Sequence, residues 1–105
     1  MSIGYIIHHS RARLILRQKE VYEDGEIVEL KAWAVPHSEA KPEGIKYSMA
    51  YISANGRRIL GYDNAEGKGH HRHMGDEETP FKFEGLETLT LKFLDEVSRL
   101  RGRHQ

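Results

Sequence analysis

The sequence predicts an α+β domain in which a C-terminal helix packs on one face of an antiparallel four-stranded sheet made of two hairpins. The prediction rests on three observations: short segments that alternate apolar and polar residues, Asp-Gly and Asn-Gly pairs between them, and a final segment with apolar residues at steps of three and four. A chain of 105 residues has the size of one domain, so we expect residues 1–105 to form a single unit.

The first predicted hairpin spans residues 11–35. Its first half reads RARLILRQKEVY and alternates apolar with basic residues, with Ile15 as the exception, which is typical of a half-buried strand. Asp24-Gly25 follows, and its tolerance of positive φ suits a tight turn. The chain then resumes as EIVELKAWAV, which completes the hairpin.

The second predicted hairpin spans residues 45–63, where IKYSMAYI and RRILGYD flank the turn signal Asn55-Gly56. Residues 36–44 have turn formers but no periodicity, so they form a loop that leaves the order of the strands open. Tyr47, Tyr51 and Tyr62 fall on adjacent strands. We interpret them mainly as core residues, with base stacking by an aromatic sheet face as the alternative.

The final segment predicts an amphipathic helix that covers the sheet. Gly85 suits its N-cap, Glu87 its first turn, and the basic tail its C-terminal end, as the helix dipole favours. The apolar stripe consists of Leu86, Leu89, Phe93, Leu94, Val97 and Leu100.

Composition restricts the function classes. Lys and Arg number 16, as do Asp and Glu, so the formal net charge is zero and any binding to nucleic acid needs a local basic patch. The absence of cysteine excludes disulfides and thiolate metal sites and fits a reducing cytoplasm. Since the sequence shows no secretory leader and no apolar run of membrane-spanning length, we expect a cytoplasmic protein without a membrane partner.

Residues 64–80 lack apolar alternation and are predicted to form a long loop, which contains GKGHHRH and three of the seven histidines. Two imidazoles can act as general base and general acid near neutral pH, so they could cleave RNA without a cofactor. Nearby cations would neutralise the charge that develops on phosphate, and an aspartate could orient one ring. The candidate catalytic residues are His71, His73, Arg72, Lys68 and Asp63.

Further residues could bind the RNA: Arg57, Arg58, Tyr62 and His70. His8, His9 and His104 are interpreted as surface residues.

Two other interpretations of the histidine cluster stay open. In the first, His71 and His73 point to the same side of an extended segment and bind a divalent metal, with Asp63, Asp76 or Glu77 completing the ligand shell. The spacing matches no strong zinc signature. In the second, the cluster is an ordinary solvated loop.

Several segments resemble the TumE-type family of toxins from type II toxin–antitoxin modules. They are VYEDGEIVE at 21–29, GIKYS at 44–48 and, most specifically, GYDNAEGKGHHRH at 61–73, followed by the Leu-rich helix. The likeness extends over residues 11–100. It implies a small cytoplasmic toxin that a helix-turn-helix antitoxin binds and neutralises, with nucleic acid or translation as the target. Relatives would have an acidic residue at the position of His70, which favours His71 and His73 as the essential pair.

Two hypotheses about function follow. The first is an endoribonuclease toxin that cleaves single-stranded RNA with the histidine pair and needs no metal. The second is a non-catalytic interaction module, whose sheet edge and loop bind a partner. In that case an exposed edge strand would recruit the antitoxin, or a second copy of the chain in a homodimer, by strand addition.

Overall fold

The computed structural model describes residues 12–102, apart from the side chain of Glu66. Within this range the α+β class and the antiparallel sheet are confirmed, and the helix follows the sheet as predicted. The elements are β1 (Arg13–Val21), β2 (Ile27–Ala34), β3 (Ile45–Ile52), β4 (Arg58–Asp63), β5 (His71–Met74), β6 (Glu77–Pro80) and the C-terminal helix (Leu86–Gly102). The predictions for His8, His9 and His104 fall outside the described residues.

The described part of the sheet has six strands in the order β1-β2-β3-β4-β5-β6, so the prediction of four strands is wrong. All neighbouring strands are antiparallel and consecutive in the chain, which resolves the strand order that the sequence left open. The extra pair is a third hairpin, β5–β6, in the segment predicted to be a loop. The histidine cluster therefore lies on and beside a strand, not in a long loop.

The two predicted hairpin turns are confirmed and share one geometry. Gly25 N–H donates to the carbonyl of Tyr22, and Gly56 N–H donates to the carbonyl of Ser53, each at 2.9 Å. Both glycines have a positive φ, 89° and 90°, which residues with a side chain rarely adopt. The glycine of each predicted pair is thus the residue that the turn requires.

The connection between β4 and β5 is fixed by Asn64, which is 2% exposed. Its side-chain oxygen accepts a hydrogen bond from Tyr47 N–H at 3.0 Å, and its side-chain nitrogen donates to the carbonyl of Ile45 at 2.7 Å. A side-chain amide therefore continues the hydrogen-bond ladder of β3 where β4 ends. This contact holds the chain in place immediately after Asp63.

Successive residues of a strand point to opposite sides, so the sheet has two different faces. The helix face packs against the C-terminal helix, and the open face lies on the other side. The buried apolar residues of the strands lie on the helix face: Val28, Leu30, Ala32, Tyr47, Met49, Tyr51, Leu60 and Tyr62. The three tyrosines are 0–1% exposed, which confirms their interpretation as core residues.

The helix completes the core with Leu89, Phe93 and Val97. Its first bond, from Leu89 N–H to the carbonyl of Gly85, confirms Gly85 as the N-cap. The predicted stripe is correct except at Leu94, which is 40% exposed. None of the helical structure in residues 12–102 is both long and apolar enough to cross a membrane.

The strand β1 is less buried than predicted. A bulge at Ile15 shifts its register between Leu14 and Leu16, which accounts for the break in the alternating pattern. All nine residues are exposed except Leu16, which is partly buried. The prediction of a half-buried strand is wrong because β1 is an edge strand of the described sheet and extends beyond the cover of the helix.

Candidate functional site

The side chains of β5 alternate between the two faces of the sheet. Arg72 pairs with Tyr62 and lies on the helix face, whereas His71 pairs with Asp63 and His73 with Gly61 on the open face. The two predicted catalytic imidazoles are therefore on the same side, as their spacing suggested. Arg72, which was expected beside them, lies on the opposite side of the sheet.

On the open face, His73 contacts Asp63 directly. The distance from His73 Nε2 to Asp63 Oδ2 is 3.0 Å, and the two side chains are 14% and 25% exposed. An ionised carboxylate can only accept, so Nε2–H donates to Asp63. This hydrogen bond fixes the ring and leaves Nδ1 as the atom that can take or release a proton.

His71 is held by the backbone. Its Nδ1 lies 3.2 Å from the carbonyl oxygen of Gly69, and because a carbonyl only accepts, Nδ1–H is the donor. The other ring nitrogen, Nε2, is then available to exchange a proton. His71 and His73 thus present two proton-exchanging atoms, each with its tautomer set by a hydrogen bond.

A cation lies beside them on the same face. Gly61 has no side chain, and the aliphatic part of Arg58 occupies that space: a Cβ at Gly61 would lie 2.8 Å from Arg58 Cδ. Since Gly61 pairs with His73, Arg58 lies over the residue opposite this histidine. Arg58 forms no ion pair with the side chains described between residues 12 and 102. We call Arg58, Asp63, His71 and His73 the open-face cluster.

The helix face uses Arg72 for a different purpose. Its Nη2 lies 2.5 Å from Glu96 Oε2, and its Nε donates to Tyr62 Oη at 3.1 Å, while the Tyr62 hydroxyl donates to Glu96. Burial and the hydrogen bond to Glu96 raise the pKa of Tyr62 to about 12. The hydrogen bond to Glu96 also raises the pKa of Arg72. We call Tyr62, Arg72 and Glu96 the helix-face network, and it ties β4 and β5 to the helix.

His70 also serves the helix face. Its ring stacks on Phe83 with centroids 4.5 Å apart, and its Nε2 lies 3.1 Å from a Glu43 carboxylate oxygen. Since Nε2–H donates to Glu43, the Nδ1 of a neutral imidazole accepts from the Tyr47 hydroxyl at 2.8 Å. Burial, assisted by the charge of Asp63, raises the pKa of Tyr47, so this hydroxyl keeps its proton.

The predicted RNA-binding residues divide in the same way. Tyr62 is fully buried and His70 is held between Glu43 and Tyr47, so neither is presented on the open face. Arg57 and Arg58 are exposed at the start of β4. Lys68 is exposed in the β4–β5 connection, between two glycines of positive φ. Within the described chain, neither Arg57 nor Lys68 is part of an ion pair.

The predicted metal shell does not assemble. Among residues 12–102 no three His, Asp or Glu side chains are close enough to hold a metal ion. Asp76 and Glu77 lie in the exposed β5–β6 turn and edge strand.

Two partners of the histidine segment were missed from the sequence, Glu43 and Glu96. Glu96 had a signal, because it lies three residues after Phe93 and four before Leu100, on the apolar side of the helix. A charge on that side needs a partner. The place of Gly61 beneath Arg58 was also missed, although a glycine inside a strand often marks a close approach of another group. Glu43 had no such signal, since only the folded chain places it beside His70.

The sequence model of a family described as Toxin TumE matches residues 5–101. Neither the curated proteins nor the solved structures give a match. The matched range contains the open-face cluster and the helix-face network.

Proposed function

This chain belongs to the Toxin TumE family, and we propose that it is the toxin of a type II toxin–antitoxin module and acts as a metal-independent endoribonuclease. Family membership supports the toxin and the existence of an antitoxin partner. The observation that supports RNA cleavage is the pair formed by His73 and Asp63 next to His71 on the open face. The helix-turn-helix type of the antitoxin is part of the proposal.

The chemistry is a transfer within the RNA chain. His73 Nδ1, with Nε2–H held by Asp63, takes the proton from a 2′-hydroxyl. The 2′-oxygen then forms a bond to phosphorus while the bond from phosphorus to the 5′-oxygen breaks. His71, protonated at Nε2, gives its proton to the departing 5′-oxygen. The products are a 2′,3′-cyclic phosphate and a 5′-hydroxyl.

Arg58 supplies the positive charge in this scheme. It lies along the same face as the two imidazoles, so its guanidinium can stabilise the charge that builds up on the phosphate oxygens. Lys68 is the second candidate cation, because the exposed glycine-flanked connection leads directly into β5. Arg72 is excluded from this role by its place on the helix face.

The test is cleavage of an end-labelled single-stranded RNA by purified protein in EDTA. We expect the wild type to cleave and the His71→Ala/His73→Ala variant to lose activity by at least about 100-fold, since each general acid or base contributes about 10²–10⁴-fold. His37→Ala is the matched control, because His37 is an exposed loop histidine outside the cluster. Cleavage by the double variant at the wild-type rate would refute the mechanism.

The nature of the products gives an independent check. A substrate with a single 2′-deoxy nucleotide at the cleaved position should resist cleavage there, and the fragments should end in a cyclic phosphate. Induced expression of the same variants extends the test to cells. The wild type and His37→Ala should arrest growth, and the double histidine variant should not.

A non-catalytic role in binding a partner is favoured by one observation. The edge strand β1 exposes Leu14 and Val21, at 58% and 61%, along nine residues. An antitoxin could add a strand at this edge. If the histidines have no catalytic duty, the double histidine variant should still arrest growth and still bind the antitoxin, whereas Leu14→Lys, which places a charge on the edge, should weaken antitoxin binding so that the antitoxin no longer restores growth.

A further inference from the structure

A second feature of the open face is Trp33, the single tryptophan of the chain. It alternates with the buried Ala32 and is itself only partly buried, which places its ring on the side away from the helix. Trp33 pairs across the sheet with Lys46 on β3 and with Leu14 on β1. None of the elements described between residues 12 and 102 covers this face of the sheet, so the indole is available there to stack on a flat ligand.

The surroundings of Trp33 form a shallow hollow, lined by Ala12, Trp33, Val35 and Lys46. The hollow therefore has the apolar surface of the Trp33 indole and the ammonium group of Lys46 in its lining. Lys46 forms no ion pair with the side chains described in the structure. Proteins that bind single-stranded nucleic acid combine an aromatic surface, on which a base stacks, with a cation that contacts a phosphate.

The hollow and the open-face cluster belong to one surface. Lys31 and Ser48 lie between them, in the same cross-strand row as Asp63 and His71. Trp33 is two residues along β2 from that row and two strands from Asp63, so the two Cα atoms are about 12 Å apart by strand geometry. A short extended piece of RNA can span this distance.

We propose that Trp33 and Lys46 form a base-stacking subsite, which holds one unpaired nucleotide of the RNA while the open-face cluster acts on a neighbouring phosphodiester. The inference rests on the proposed function, because it takes RNA as the ligand of this face. Charge complementarity supports that occupant. The basic residues of the open face are Arg17, Lys19, Lys31, Lys46 and Arg58. Of the acidic residues on this face, Glu29 is engaged by Lys31 and Asp63 by His73, and Glu78 lies on β6 opposite His73, on the far side of the cluster from Trp33. The subsite would restrict the substrate to single strands.

The single tryptophan allows a direct test. A short 2′-deoxy oligonucleotide cannot be cleaved by the proposed chemistry, so its binding can be measured without turnover. Titrating it into the wild-type protein at low salt should quench the tryptophan fluorescence, because stacking on a base changes the surroundings of the indole. A fluorescence signal that stays constant while a labelled oligonucleotide binds, as seen by polarisation, would overturn the inference.

Variants separate stacking from charge. Trp33→Ala should weaken binding roughly 5- to 100-fold, and Trp33→Phe, which keeps a ring, should weaken it much less. Lys46→Ala should weaken binding less at high salt than at low salt, whereas Lys92→Ala, on the helix, should have no effect. Thermal melts check that each variant is folded. If Trp33→Ala fails to fold, the Phe variant and wild-type quenching decide.

The outcomes for the subsite and for cleavage are distinguishable. Quenching without cleavage of RNA would support the subsite and refute the nuclease mechanism. Cleavage that is unaffected by Trp33→Ala and oligonucleotide binding that is unaccompanied by quenching would support the nuclease and refute the subsite. A third outcome would also refute the nucleotide subsite. If no oligonucleotide binds, and if a protein partner binds the wild type but not Trp33→Phe, the hollow is a protein-binding site.

Discussion

The two faces of the sheet use the same stretch of sequence for opposite purposes. On the helix face, the side chains of Arg72 and His70 are engaged in hydrogen bonds. Arg72 bonds with Glu96 and Tyr62, and His70 bonds with Glu43 and Tyr47. On the open face, His71 and His73 each use one ring nitrogen for positioning and keep the other available. Saturated groups stabilise a fold, whereas groups with a remaining donor or acceptor can do chemistry. Because successive side chains of β5 point to opposite faces, Arg72 is separated from His71 and His73.

The largest effect that should distinguish the faces is loss of stability at high pH. Burial, followed by hydrogen bonds to Glu26 and Glu96, raises the pKa values of Tyr51 and Tyr62 to about 12, above the ordinary value near 10. The native state therefore favours the protonated phenols. Their contribution, about 2–3 kcal/mol each, is fully present below pH 10 and is lost as the pH rises through about 12.

Urea unfolding between about pH 9 and pH 12 measures this loss. Tyr62→Phe should reduce the pH dependence, because one of the phenols with a raised pKa is gone. Variants of His71 and His73 should keep the wild-type dependence, since these rings do not contact either tyrosine in the structure described. If Tyr62→Phe leaves the alkaline loss of stability unchanged, the helix-face network does not hold the phenol as described.

The next effect compares two arginines that differ by face. Arg72→Ala should destabilise the protein by about 2–3 kcal/mol, because it leaves the carboxylate of Glu96, 19% exposed, without its cation. Arg58→Ala should change the free energy of unfolding by less than about 0.5 kcal/mol, because Arg58 is exposed and forms no ion pair with described side chains. Chemical denaturation measures both.

Activity should respond in the reverse order. Arg58→Ala should lower kcat/KM for RNA about 10-fold or more, and Arg72→Ala should leave the value per folded molecule close to the wild type. A double-mutant cycle of Arg72→Ala with Glu96→Ala should give a coupling of at least about 1 kcal/mol. Equal loss of stability in both arginine variants would contradict the assignment of the faces.

The sequence was sufficient to predict the parts of the fold that local residue patterns determine. Asp24-Gly25 and Asn55-Gly56 marked their turns through the glycine that adopts positive φ, and the three- and four-residue steps marked the helix. The third hairpin was missed although Gly75-Asp76 is also a turn signal. Its strands show no apolar alternation, because β6 is exposed throughout and β5 directs only one apolar residue, Met74, at the core beside the paired Arg72.

The site was predictable in its residues and unpredictable in its arrangement. Treated as a loop, residues 67–73 could be imagined around one phosphate, but strand geometry sends Arg72 away from His71 and His73. The cation that does lie beside the histidines, Arg58, comes from the start of another strand. Only the register of β4 against β5 brings it there, and no local pattern encodes that register. Trp33 reaches the same face through the alternation of β2, in which it follows the buried Ala32.

The finest test of the open face is Gly61→Ala. Gly61 does not have a positive φ, so alanine fits its backbone, and a strand usually gains about 0.5–1 kcal/mol when glycine becomes alanine. The new Cβ would lie 2.8 Å from Cδ of Arg58 and 3.4 Å from the carbonyl oxygen of Met49. Arg58 has a flexible side chain, so it should move off the face while the backbone stays.

We therefore expect Gly61→Ala to unfold within about 1 kcal/mol of the wild type and yet to resemble Arg58→Ala in its kinetics, with kcat/KM for RNA reduced about 10-fold. The combination of both substitutions should be no worse than either alone, since each removes the same cation from the same place. Additive losses of activity would mean that Gly61 acts on the RNA in another way, such as close approach of the backbone to phosphate. A matched Gly102→Ala variant, at the end of the helix, should leave the kinetics unchanged, because a Cβ there meets open space far from the open-face cluster.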